Sequence, residues 1–212
     1  MGLWYRSVRF TVAGGSAAAY RVRIAGRELL PASGGYVLAP SHRSMMDIPF
    51  AAWLAPRPLR YMGKQSLFKI PVLGPAFRSL GGFEVARDGS DRKALRESIA
   101  MLQAGEVLLV FPEGTRQHGP KIQDLQPGAA YLALRAGVPL VPAGFAGTEE
   151  IMRDHRSHVP RFGRVGLVVG EPLVGPTRES GLVPRAEVDA LSARLKDSVQ
   201  RAFDDANSLR SS

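Results

Sequence analysis

Short apolar runs alternate along this chain with segments of helical spacing. Tyr36-Val37-Leu38-Ala39 and Val107 to Phe111 are apolar at every position, the signature of strands buried on both faces. Leu59 to Met62, Gly82 to Arg87, Pro139 to Phe145 and Arg164 to Gly170 read as further strands. Arg21-Val22-Arg23-Ile24 alternates in the manner of a half-exposed edge strand. Helices are predicted over Ser44 to Leu54, ahead of Pro56 and Pro58, and over Ser90 to Ala104, with Leu95, Ile99 and Leu102 on one side. Two more follow, Gln126 to Ala136, closed by Gly137, and Arg185 to Phe203, which turns Val188, Leu191, Leu195, Val199 and Phe203 to one face. Gln65 to Leu80 is apolar but broken by Pro71, Gly74 and Pro75. Buried strands alternating with helices predict an α/β fold, a mostly parallel sheet flanked by helices, in a single domain over residues 1–212.

At the N-terminus, residues 2–13 read as a short amphipathic helix, with Trp4, Val8, Thr11 and Val12 on one face and Arg6 and Arg9 on another. Within residues 1–19 that pattern suits either a membrane-surface helix or a terminal helix packed on the domain. No run reaches the roughly 18–20 apolar residues of a membrane span, and Gly14-Gly15 interrupts the uncharged stretch Phe10 to Tyr20.

Charge changes this picture. Residues 1–80 carry eleven Lys or Arg against Glu28 and Asp47, which equals the whole net charge of +9. Such a segment suits an anionic partner (phosphate ligands, an acidic membrane surface, nucleic acid) or a solvated basic face. The absence of cysteine excludes disulfides, thiolate catalysis and Cys-ligated metals, and it fits a reducing compartment. His118, His155 and His158 lie among Arg, Ser and Pro without a ligand cluster and read as surface-loop residues, so no metal is expected.

Several predicted strands lead straight into polar residues. The Tyr36 strand runs into Ser41-His42-Arg43-Ser44-Met45-Met46-Asp47, the Leu59 strand into Lys64, the Phe83 strand into Arg87, and the Val107 strand into Phe111-Pro112-Glu113-Gly114-Thr115-Arg116. In a parallel sheet these ends share one edge, where open α/β folds hold their ligands. One pocket containing His42, Asp47, Lys64, Arg87, Glu113 and Arg116 is therefore expected. Ser44 and Asp47 have the spacing of a helix N-cap and its third position, which puts the Asp47 carboxylate within reach of His42. A carboxylate holding one ring nitrogen leaves the other as a base. Three cations in one pocket indicate a phosphate-like substrate group. Gly114 is suited to close backbone approach, with its N–H a candidate oxyanion donor or part of an ordinary turn.

The block from Ser41 to Asp47 resembles the His-x-x-x-x-Asp motif of the glycerolipid acyltransferases, the family of 1-acylglycerol-3-phosphate acyltransferases. Phe111 to Arg116 is similar residue for residue to that family's second hallmark; Gly82 to Arg87, Lys64 to Pro71 and Val138 to Pro142 resemble three further blocks. Two departures stand out: Ser41 where the family often has asparagine, and Glu84 where an apolar residue is usual.

The resemblance implies acyl transfer from acyl-CoA or acyl carrier protein to the free hydroxyl of 1-acyl-sn-glycerol-3-phosphate, with no other cofactor. His42 would be the general base and Asp47 its support. Lys64, Arg87, Glu113, Gly114, Thr115 and Arg116 would form the phosphate site, with Leu67, Phe68, Ile70 and Phe77 in the wall of an acyl tunnel or in plain core. The expected setting is the cytoplasmic face of an anionic membrane, peripherally bound. Glycerol-3-phosphate, a lysophospholipid or a glycolipid are alternative acceptors, and a non-enzymatic basic lipid-binding module is the remote alternative. No nucleic-acid partner is expected, since basic and aromatic residues are not interleaved.

Overall fold

The computed structural model describes residues 7, 9–64, 68–69, 71, 75, 78, 81–85, 92–151, 162–176 and 182–212. Seven strands form one sheet: β1 (Arg23–Ala25), β2 (Tyr36–Pro40), β3 (Leu59–Lys64), β4 (Gly82–Val85), β5 (Val107–Leu109), β6 (Leu140–Ala146) and β7 (Gly166–Val169). Their spatial order is β1-β7-β6-β2-β5-β3-β4. Every neighbouring pair is parallel except β6 with β7. The expected α/β fold with a mostly parallel sheet is what forms.

The central strands are apolar throughout because both faces are covered. Val37, Ala39, Leu108 and Leu140 face one layer, built from α3 (Arg92–Gln103), α4 (Gly128–Ala136) and α6 (Arg185–Ser211). Tyr36, Leu38, Val107, Leu109, Val141, Ala143 and Phe145 face the other, which includes α2 (Asp47–Leu54). The predicted inward face of the last helix, Val188 to Phe203, is buried. The helix continues past it to Ser211, because the small Ala206 lies against Gly166 and carries the contact on. A side chain on Gly144 of β6 would come within 2.1 Å of the Ala202 backbone, so glycine there sets how closely α6 approaches the sheet.

Several boundaries differ from expectation. The helix predicted from Ser44 begins at Asp47. The strand after Val107 ends at Leu109, where the chain leaves the ladder toward the Phe111 turn. The edge strand lies at 23–25. The helix predicted over 2–13 runs on beyond it: a π-helical turn over Arg9–Gly14 continues into α1 (Gly15–Ala19). Gly14 rests against the Trp53 ring of α2, so tertiary packing supports helix where propensity opposes it. The first six residues and Val8, most of Gln65 to Leu80, and His155 and His158 lie outside the described residues. A four-residue helix, α5 (Thr148–Ile151), had no sequence signal strong enough to predict it.

Candidate active site

Strands β2 and β5 are parallel neighbours, so the loops after them emerge side by side at one sheet edge. The β2 loop is pinned at its start. Buried Ser41 receives the Phe145 N–H on its hydroxyl at 2.9 Å and donates that hydroxyl to the Phe145 carbonyl at 3.3 Å. The next residue, His42, is partly exposed, and its ring stacks on Phe111 with centroids 3.8 Å apart and planes 17° from parallel. The imidazole Nδ1–H donates to Asp47 Oδ2 at 2.8 Å. Nδ1 must be the donor because an ionised carboxylate only accepts. That leaves Nε2 as the ring nitrogen with a lone pair, and among the described residues it has no partner.

Asp47 is fully buried. Its Oδ2 accepts two main-chain N–H groups besides the imidazole, from Arg43 at 2.6 Å and Ser44 at 2.7 Å. The carboxylate also sits in the first turn of α2, where the helix dipole favours negative charge. Ser44 is not the expected N-cap. Its hydroxyl accepts from Met46 N at 3.3 Å instead, because Asp47 folds residues 42–47 into a turn ahead of the helix.

Glu113, expected in the phosphate site, turns inward and is only 4% exposed. Oε1 takes the main-chain N–H of His42 at 2.9 Å, and Oε2 takes that of Gln123 at 3.3 Å. The side chain therefore joins the loop after β5 to the one after β2. The His42 carbonyl completes the splice by accepting from Gln117 N at 2.8 Å. Gly114 does adopt the left-handed conformation, at φ 72°. Its N–H closes the turn onto the Phe111 carbonyl at 3.1 Å, so it is not aimed outward as an oxyanion donor.

Thr115 is exposed, its hydroxyl accepting from the Gln117 amide at 3.0 Å, and Arg116 is half-buried in the same loop. Lys64 is the last residue of β3, two strands from β2 on the same edge. The Lys64 side chain, Arg87, Leu67, Ile70 and Phe77 lie outside the described structure. Phe68 is buried at that edge, its ring against Gly63 of β3 and under the Arg78 guanidinium at 5.4 Å. His118 is exposed, as expected. Among the described residues no cluster of His and acidic side chains suits a metal ion.

Sequence reasoning missed Phe111 as the platform for His42, although it stands in the motif. It also counted Arg43 among the basic surface charges, whereas Arg43 is buried to 1% exposure.

The model of a family described as Acyltransferase matches residues 21–146. The chain belongs to that acyltransferase family. A 1-acyl-sn-glycerol-3-phosphate acyltransferase of Bacillus subtilis (strain 168) is 30% identical over 183 residues, 83% of this chain and 87% of that protein. One from Chlamydomonas reinhardtii is 34% identical over 73% of this chain; the chain spans about half of that longer relative, 47%. The crystal structure of the 1-acyl-sn-glycerophosphate (LPA) acyltransferase PlsC from Thermotoga maritima superposes with a TM-score of 0.77 at 25% identity, covering 95% of this chain and 78% of that one. The chain is thus an acyltransferase, with a mostly parallel seven-stranded sheet that matches the Thermotoga fold.

Proposed function

We propose that this acyltransferase moves a fatty acyl group from acyl-CoA or acyl carrier protein to the free hydroxyl of 1-acyl-sn-glycerol-3-phosphate, forming phosphatidic acid for phospholipid synthesis. The observation that carries the mechanism is the 2.8 Å bond from His42 Nδ1 to buried Asp47. It fixes the tautomer and leaves Nε2 to take the proton of the acceptor hydroxyl. The resulting oxygen attacks the thioester carbonyl, an ester bond forms, and the C–S bond breaks. The thiol leaves with the proton returned from the imidazolium. Direct transfer is favoured over an acyl-enzyme: the chain has no cysteine, and Ser41 and Ser44, beside His42, are fully buried and hydrogen-bonded elsewhere.

The names of the Bacillus and Chlamydomonas relatives support lysophosphatidate as the acceptor. Arg116, with Lys64 and Arg87, would hold its phosphate, and exposed Thr115 adjoins Arg116. Phe68 would belong to the wall against the acyl chain.

We place the enzyme at an anionic membrane surface, on the cytoplasmic side. Among the described residues no helix is long and apolar enough to cross a membrane. Strand β7 runs against β6, so the residues entering it lie on the same edge as His42. There Phe162, 93% exposed, lines an open cavity of about 470 Å³ with Arg21 and Arg164, a pairing suited to lipid headgroups.

The acceptor is tested with one acyl-CoA donor against lysophosphatidate, glycerol-3-phosphate, a lysophospholipid and a glycolipid. Lysophosphatidate should give by far the largest kcat/KM; a preference for any other acceptor overturns the assignment.

A further inference from the structure

Among the described residues Arg43 is the largest fully buried side chain. A guanidinium keeps its charge at any pH the fold survives, and burying it uncompensated is strongly unfavourable. Its compensation comes from three pieces of the chain. Nη2 lies 4.0 Å from Glu113 Oε2, with neither side chain exposed, and it donates to the Lys121 carbonyl at 3.4 Å. The guanidinium carbon stands 4.5 Å over the centroid of Phe203, on α6. Nε and Nη1 have no hydrogen-bond partner among the described residues, so the ring face carries more of the stabilisation. Its main-chain N–H meanwhile goes to Asp47.

Helix α6 grips the same region independently. Gln200 accepts the Ile122 N–H at 2.9 Å and donates to the Pro120 carbonyl at 3.0 Å, while Lys196 pairs with Asp124 at 2.6 Å. The segment so held, 120–124, supplies the Gln123 N–H that fixes Glu113 Oε2.

We infer that Arg43 is a positioning residue: its buried charge holds Glu113 against the His42 main chain and ties both to Phe203, so that the C-terminal helix sets the aim of the imidazole. The inference rests on the assignment of His42 as the base, and the two fail in different ways. Turnover that survives in H42A overturns that assignment itself. With H42A inactive, the Arg43 variants decide the inference.

R43M keeps an apolar side chain beside the Phe203 ring but removes the cation, leaving Glu113 as a lone buried charge. Its kcat should fall by about tenfold or more, with KM for donor and acceptor within about twofold. A general loosening of the fold would move KM as well. R43M/E113Q removes the stranded charge and keeps an amide oxygen for the His42 N–H. It should therefore be no worse in kcat than R43M alone; a double variant worse than R43M overturns the inference. Should R43M fail to fold, F203L decides: a kcat loss of about threefold or more at unchanged KM supports the tie to α6, and an unchanged kcat overturns it.

Discussion

At the scale of single residues, the site depends on Asp47 Oδ2, which gathers the His42 imidazole and two main-chain N–H groups on one buried oxygen. Replacing Asp47 by Asn would keep an oxygen for all three donors but remove the negative charge that supports the imidazolium formed when Nε2 takes a proton. Kinetics of D47N should show a kcat loss on the order of 10³-fold with little change in KM. A D47N enzyme within tenfold of the parent would deny Asp47 that role. The His-Asp pair was legible because the two residues stand five apart around a predicted helix start at Ser44, which brings the carboxylate within reach of the ring. Arg43 and Glu113 were not legible. Charge in sequence reads as surface or ligand-binding, and the partners that make burial tolerable, Phe203 and the His42 main chain, lie far from Glu113 in sequence.

At the scale of elements, apolar continuity and helical period placed every strand and the four longer helices to within a few residues, except the end of α6, which runs eight residues past Phe203. Where boundaries moved, a contact from elsewhere decided them: the Trp53 ring under Gly14, the Asp47 turn before α2, Gly166 beneath Ala206. The approach of α6 to the sheet is the most demanding of these contacts. G144A would drive a methyl group into the Ala202 backbone, and chemical denaturation should show a loss of about 3 kcal/mol. No loss would mean that α6 can slide away without cost. The grip of α6 on the loop before α4 also carries a pH signature. The Lys196 ammonium bonded to Asp124 holds that carboxyl below its ordinary value of 3.8. A carboxyl lowered by folding adds stability that is present above the ordinary value and lost as pH falls through the lowered one. The Tm difference between the parent and D124N should therefore be seen at neutral pH and vanish in acid; a difference that persists below the folded pKa would point to packing instead.

At the scale of the whole molecule, the basic first third divides into two populations. Arg43 is internal; Arg57 is bonded to the carbonyls of Gly34 and Gly105, and Arg60 to Glu106, at the sheet edge away from His42. Arg21 lies on the His42 edge beside exposed Phe162 and Arg164. Among the described residues, cations of that second kind are the ones the proposed membrane contact would use, so composition alone overstated the charge available to a partner. Co-sedimentation with anionic vesicles should weaken as salt rises, and F162S/R164S should weaken it further. Binding untouched by both changes would move the membrane contact elsewhere.

On the proposed mechanism His42, aimed by Asp47, activates an acceptor hydroxyl for direct acyl transfer. Thiol release from palmitoyl-CoA, followed with and without lysophosphatidate in the parent and in H42A, tests it most directly. Release should be rapid in the parent only when the acceptor is present, and H42A should stay folded with release reduced on the order of 10³-fold or more. Release that ignores the acceptor, or that survives in H42A, would contradict it.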